Sequence, residues 1–309
     1  MNSPKRIKII SAVMISIAAV LWGFDGVVLT PRLSNLNVVF VVFLLHALPF
    51  ILMNAFFFKR YKELKKLDRK ALVSLVLVSV LGGALGTIAI VYALFLVNFQ
   101  NLSVVVLLQK FQPIFAIVLA AIFLQEKVSK KFYLWGIIAI IGGHFLTFGF
   151  NMPNFQTDTN TMKAGLLSVF ASFAFGSSTV FSKSLLNKLS FDTATFFRYG
   201  MTTLLLFPVI IILGRWGDFQ LITPTNWLVF GIIALTSGTV AIMLYYYGLK
   251  NIKASHATLL ELFFPISAIL FDYLINGIVL SAVQWISAII MIYAIIKASL
   301  YSKRKEKKT

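Results

Sequence analysis

Ten apolar runs, each about the length that crosses a bilayer, constrain this 309-residue chain more than any other feature. They lie at Ile9–Leu29, Val38–Phe58, Ala71–Val97, Leu102–Leu124, Phe132–Phe150, Ala164–Ser182, Thr193–Leu213, Trp227–Leu249, Ser255–Ile275 and Val279–Ile296. A helix needs ~20 apolar residues to cover a hydrocarbon core of about 30 Å. No water reaches that core, so a run of this length satisfies its backbone only as a helix. Composition agrees, with 59% hydrophobic and 12% charged residues, the latter about half the share of a soluble domain. Mean hydropathy is +0.91. The expected class is an all-α polytopic membrane protein with ten transmembrane helices. Lys5, Arg6 and Lys8 precede the first run as they would in a signal peptide. The run is too long for that and no small-residue cleavage site follows, so it is expected to be retained.

The net charge of +18 does not point to nucleic acid, because the basic residues fall in short runs between apolar segments. Ten helices put both termini on one side. With the termini in the cytoplasm, 22 of the 28 Lys and Arg lie inside and only Arg32, Lys163 and Arg215 lie outside. The positive-inside rule then predicts N-in, C-in orientation in the cytoplasmic membrane. The chain has no Cys, which excludes disulfides, thiolate zinc sites and thiol redox chemistry. It has no P-loop, His–Glu zinc motif or Gly-x-Ser-x-Gly elbow. No enzymatic activity and no cofactor are expected. The expected partners are a small-molecule substrate and membrane lipid, with a coupled proton as a further candidate. Nothing in the sequence signals an oligomeric state.

The chain also repeats. Leu107-Leu108-Gln109-Lys110-Phe111-Gln112-Pro113-Ile114 resembles Leu259-Leu260-Glu261-Leu262-Phe263-Phe264-Pro265-Ile266. Gly23 pairs with Gly176, and Gly83, Tyr92 and Leu94 pair with Gly238, Tyr247 and Leu249, at nearly the same offset. Five helices per unit is an odd number, so the second unit is expected to sit inverted in the membrane. Residues 1–155 would form one repeat and 156–309 the other, joined by the polar stretch Asn151–Lys163. Inverted repeats typify transporters, with the site near the midplane between the halves.

The stretch Pro113-Ile114-Phe115-Ala116 followed by Leu124-Gln125-Glu126-Lys127-Val128-Ser129 resembles the fourth-helix signature of the EamA family in the drug/metabolite transporter superfamily. Trp22-Gly23 and Tyr92-Ala93-Leu94 fit the same family. The resemblance covers the whole chain as two repeats. It departs in the second, where Ile278 stands in place of Glu126. It implies a ten-helix permease, usually of a bacterial inner membrane, moving amino acids, other small metabolites, nucleotide sugars or drugs, often outward.

An ionisable group in mid-membrane costs at least ~2.5–3.5 kcal/mol on insertion scales, which makes it a functional candidate. Lys110 and Glu261 fall near the centres of helices 4 and 9. Either they form a buried ion pair that ties the halves together, or they serve the substrate or a gate. Asp25 sits between Gly23 and Gly26 in helix 1. It reads as a ligand or proton site, or as a cap paired with Arg32. His46 in helix 2 suits a proton relay, or a plain hydrogen bond to a neighbour; His144 and His256 are weaker candidates. Gln109 and Gln112 are close enough to turn amides to one face. Pro113 and Pro265 should kink their helices and free a carbonyl. Trp22 and Tyr246 complete the candidate substrate site, although Tyr245, Tyr246 and Tyr247 also fit an aromatic belt at the interface. Arg198 and Lys297 lie near cytoplasmic helix ends, where they are expected to snorkel; Asp272 lies near an outer end. Gly82 and Gly86 read as a helix-packing pair, and Glu126 as a structural partner of the basic residues around it.

These readings converge on a secondary transporter or facilitator working by alternating access. An amino acid or related zwitterion, exported, best matches a cavity with one cation and one or two carboxylates. A hydrophobic organic cation is the alternative substrate, and a non-transporting scaffold subunit the alternative class.

Overall fold

The computed structural model describes residues 4–98, 102–151, 159–277 and 279–300. The position of Ile278, most of the link around 152–158 and the basic tail after Leu300 lie outside the described residues. Among those described, every regular element is helical. Nine helices are long and apolar enough to cross a membrane: α1 Lys5–Leu33, α2 Val38–Leu64, α3 Arg69–Leu96, α4 Val105–Phe123, α5 Lys130–Phe148, α6 Thr159–Leu186, α7 Phe191–Ile212, α8 Pro224–Asn251 and α9 Ala254–Asn276. The tenth, α10, runs Ala282–Leu300.

Short polar side chains set where the helices start. Asn37 accepts hydrogen bonds from the Val39 and Phe40 amides ahead of α2. Ser129 accepts from Phe132 ahead of α5. Thr223 and Asn226 close a reciprocal capping box on α8. Each satisfies amides that a helix leaves unpaired in its first turn. Asp68 caps α3 through the Ala71 amide and pairs with Lys188 at 3.0 Å. The amide bond, then Lys188, holds its carboxyl below the usual range.

The two halves are related by an approximate two-fold. The main contacts pair α1 with α8, α1 with α9, α3 with α6, α4 with α6, α2 with α7 and α5 with α10. Exchanging the halves turns α1–α8 into α6–α3 and α1–α9 into α6–α4, and leaves α2–α7 and α5–α10 self-paired. The glycines explain the close contacts. A Cβ on Gly23 would lie 2.9 Å from the Ala268 amide nitrogen and 3.0 Å from the Phe264 carbonyl oxygen; one on Gly176 would lie 3.0 Å from both the Ala116 nitrogen and the Gln112 oxygen. These contacts are the same pair in the two repeats. Gly82 and Gly86 likewise let α3 approach Ser178 and Ala174 of α6.

The repeat extends to irregularities. A π-helical stretch occupies Val78–Leu85 in α3 and Ala234–Gly238 in its counterpart α8, and a third occupies Asp25–Leu29 in α1. Helix α4 breaks between Gln109 and Gln112, and α9 between Leu260 and Phe263. Each break lies just before its proline, which has no N–H to continue the ladder.

Apolar packing is uneven across the membrane. The largest buried cluster draws on all ten helices, including Leu75, Leu185, Phe196, Tyr246, Leu249 and Leu259 near the basic face. Towards the opposite face the core divides. One cluster joins α1, α2, α3, α7 and α8 around Phe40, Leu206 and Phe230; another joins α3, α4 and α6 around Val97, Val105 and Ala164. The core is therefore continuous on the basic side and split in two on the other, where each cluster still joins helices of both halves.

Candidate functional site

A cavity of about 270 Å3 fills the gap between the halves. Every helix except α5 and α10 lines it. Its wall is mainly apolar and carries a few buried polar groups, the composition usual for a small-molecule site.

The broken helices furnish its middle. Glu261, at the break in α9, accepts hydrogen bonds from the Tyr245 hydroxyl at 2.7 Å and from the Gln112 amide at the break in α4. That second bond joins the halves. Tyr245 also bonds Thr179 of α6 at 2.8 Å. Asp25 opens the π stretch of α1, where it accepts from Thr30 at 2.8 Å and from Ser237 of α8 at 2.7 Å. Both carboxylates keep some surface in the cavity. Trp22 donates its indole N–H to the Ser237 carbonyl at 3.0 Å, and its ring lies 5.4 Å from that of Tyr245. His46 hydrogen-bonds through Nδ1 to the Val42 carbonyl and sits 5.5 Å from the Tyr199 ring. Gln109 also lines the cavity.

The site differs from the expected one in four ways. Lys110 and Glu261 both border the cavity but form no ion pair. Lys110 donates to the Gly143 carbonyl and the Thr147 hydroxyl of α5. Across the break in α4, Gln112 reaches α9 while Lys110 turns to α5. Asp25 does not pair with Arg32, whose guanidinium bonds the Val28 carbonyl in its own helix. Two of the three tyrosines are not part of an interfacial belt. Tyr245 and Tyr246 are buried at 4% and 0% exposure. Tyr246 lies behind the cavity wall, bonded to Ser182 at 2.8 Å and to Arg198 at 3.2 Å. Finally, Arg198 does not snorkel. It is buried, lines the cavity, and leaves its Nε without a partner. Thr195, Arg198 and Thr202 form one stripe on α7, all buried, and that spacing is the sequence signal for its inward direction. Ser178, Thr179 and Ser182 on α6 form a similar stripe.

Glu126 is away from the cavity. It accepts from the Ala254 and Ser255 amides at 2.8 and 3.0 Å and from the Ser255 hydroxyl at 2.6 Å. It caps the start of α9 instead of pairing with its basic neighbours. His256 packs against Phe132, and His144 against Phe145 and Phe148; neither lines the cavity. Asp272 accepts from Asn276, and Lys297 lies over the Tyr293 ring.

The sequence profile of the EamA-like transporter family matches residues 9–149 and again 162–300. The chain belongs to that family. It is 52% identical over 289 residues to the riboflavin transporter ImpX of Fusobacterium nucleatum subsp. nucleatum, covering 93% of this chain and 97% of that protein. It is 28% identical over 220 residues to the uncharacterized transporter sll1164 of Synechocystis sp., covering 69% and 61%. A solved crystal structure superposes with a TM-score of 0.68 at 15% identity, covering 100% of this chain and 99% of that one. This EamA protein is a multi-pass membrane transporter of the drug/metabolite superfamily, built as ten helices in two inverted five-helix repeats.

Proposed function

We propose that the protein carries riboflavin or a closely related flavin across the cytoplasmic membrane. The two repeats would alternate access to the central cavity, with both termini in the cytoplasm. The kinship with the Fusobacterium riboflavin transporter over nearly the whole of both chains carries this reading. The cavity suits the chemistry. A flavin is a flat, uncharged heteroaromatic ring system with a polyhydroxyl chain. Trp22, Tyr245, Phe175 and Phe264 offer ring faces and edges in the wall, worth ~0.5–1.5 kcal/mol per aromatic contact. Asp25 and Glu261 accept hydrogen bonds, which a hydroxyl chain can supply. An uncharged substrate also needs no dedicated counter-ion, consistent with Lys110 being held by α5.

A zwitterionic amino acid is the second reading, now with Arg198 in place of Lys110 as the cation facing the two carboxylates. Purified protein in liposomes separates the alternatives. Riboflavin flux read by its fluorescence, saturable and blocked by unlabelled flavin but not by an amino-acid mixture or cationic dyes, is the expected result. Flux of amino acids or dyes without flavin flux would reject the flavin reading. No flux of any of the three would favour a scaffold. Imposing gradients of flavin and of pH in the same vesicles reads direction, including the expected export, and any proton coupling through Asp25 or Glu261.

A further inference from the structure

We propose that Arg198 is the specificity anchor of the cavity, binding an acceptor edge of the substrate at the end nearest the basic face. This deepens the flavin reading and rests on it. The acceptor edge is then on the pyrimidinedione side of the ring system, where a ring nitrogen and a carbonyl oxygen lie side by side.

The guanidinium has five N–H donors in a planar fork. Its one hydrogen bond to a side chain is to the Tyr246 hydroxyl, and its Nε–H is unpartnered although buried. Among the described residues, no carboxylate lies within ion-pair distance of it. A buried cation left this way is costly unless it gains partners. It faces a cavity with room for them. The fork matches two adjacent coplanar acceptors, and a flavin offers such pairs without a net charge: N1 beside the C2 carbonyl oxygen, and N5 beside the C4 carbonyl oxygen. The other cation lining the cavity is committed, Lys110 to α5, as is the Nδ1 of His46 to Val42.

The two polar ends of the cavity can be measured along one helix. Asp25 bonds Ser237 and Arg198 bonds Tyr246, both on α8. Nine residues of helix separate these contacts, or about 13 Å of rise. Arg198 and Asp25 therefore mark two well-separated polar points of an aromatic-lined space, with Glu261, bonded to Tyr245, on the Arg198 side. A flavin can meet both points, with acceptors and an imide N–H on its pyrimidinedione and hydroxyl donors on its ribityl chain. The geometry places the ring edge at Arg198 and the chain towards Asp25.

Three probes test this with purified protein in detergent. Riboflavin carries both ends. Lumiflavin keeps the pyrimidinedione and lacks the chain. N-ribityl-3,4-dimethylaniline keeps the chain and lacks the pyrimidinedione. Arg198→Gln should weaken riboflavin and lumiflavin by about tenfold or more, as expected for loss of a charge-assisted hydrogen bond, and leave the ribityl aniline within about twofold. Arg198→Lys keeps the charge without the fork and guards against a misfolded Gln variant; it should weaken the first two probes by less and spare the third. Equal effects of either variant on all three probes, or no effect on any, would overturn the anchor while leaving the flavin reading intact. If the wild type binds neither flavin, the flavin reading falls and this inference falls with it.

Discussion

Glu126 is the acidic residue of the family signature, and its geometry predicts a structural effect when it is changed. Its carboxylate takes three hydrogen bonds, from two backbone amides and one hydroxyl at the start of α9. Removing an N-cap side chain costs ~0.5–2 kcal/mol. A net hydrogen bond to a charged group is worth roughly 1.5–3 kcal/mol. Water can replace some of these bonds, because Glu126 is only half-buried. Glu126→Ala, which loses all three, should therefore cost about 2–4 kcal/mol. Glu126→Gln keeps one acceptor oxygen and should cost about half as much. The contact joins the end of α4 to the start of α9, so the damage falls on the packing of the halves at the basic face. The assay pairs thermal unfolding of purified protein with flux per folded molecule in liposomes. The order of stability should be wild type, Gln, Ala, with flux per folded molecule nearly constant. A Gln variant as stable as the wild type but unable to transport would refute the capping argument and give Glu126 a role in the transport cycle.

Three other outcomes follow from contacts already described. Lys110→Met and Glu261→Gln should have additive effects on stability, with a coupling below ~0.5 kcal/mol, because the two side chains are bonded to different helices; mutual rescue in the double mutant would restore the ion pair. Gly23→Ala should lower thermal stability and resist rescue by Ser267→Ala, since the backbone of Phe264 and Ala268 stays in the way. Gly83→Ala, whose Cβ would have its three nearest contacts all in the Thr202 side chain, should be largely rescued by Thr202→Ala; rescue of both or neither would refute the distinction. Single cysteines in the loop 59–70 of this Cys-less chain should resist an impermeant label on intact cells while cysteines at Ser34 or Gly217 react, and the reverse pattern would invert the proposed orientation.

Much of this protein is legible in its sequence because the membrane makes one property decisive. Every crossing segment must be apolar and self-bonded, so the ten helices follow from hydropathy alone. The repeat was legible at the residues where backbone geometry leaves no choice. Gly23 and Gly176 sit where a Cβ would meet equivalent backbone atoms of the opposite half, and Pro113 and Pro265 sit where both helices break. The candidate site was less legible because hydropathy gives depth along a helix and not the direction a side chain takes around it. Depth alone sent Arg198 to the headgroups and joined Lys110 to Glu261. Direction does the reverse, turning Arg198 inward with Thr195 and Thr202, and Lys110 towards α5.

The π stretches explain why direction is hard to read in this chain. Each adds a residue to a turn and shifts all that follows around the axis. In α1 the shift begins at Asp25, and in α8 it includes Ser237, the residue Asp25 meets. A regular 3.6-residue wheel drawn through either helix therefore misplaces the site residues beyond that point. π-bulges often mark functional sites. Those in α3 and α8 fall at repeat-equivalent positions, and all three lie in helices that line the cavity. The irregularity that hides the site from a sequence wheel also loosens the helix ladder around the cavity. Under the proposed alternating-access reading, that is where the helices would bend.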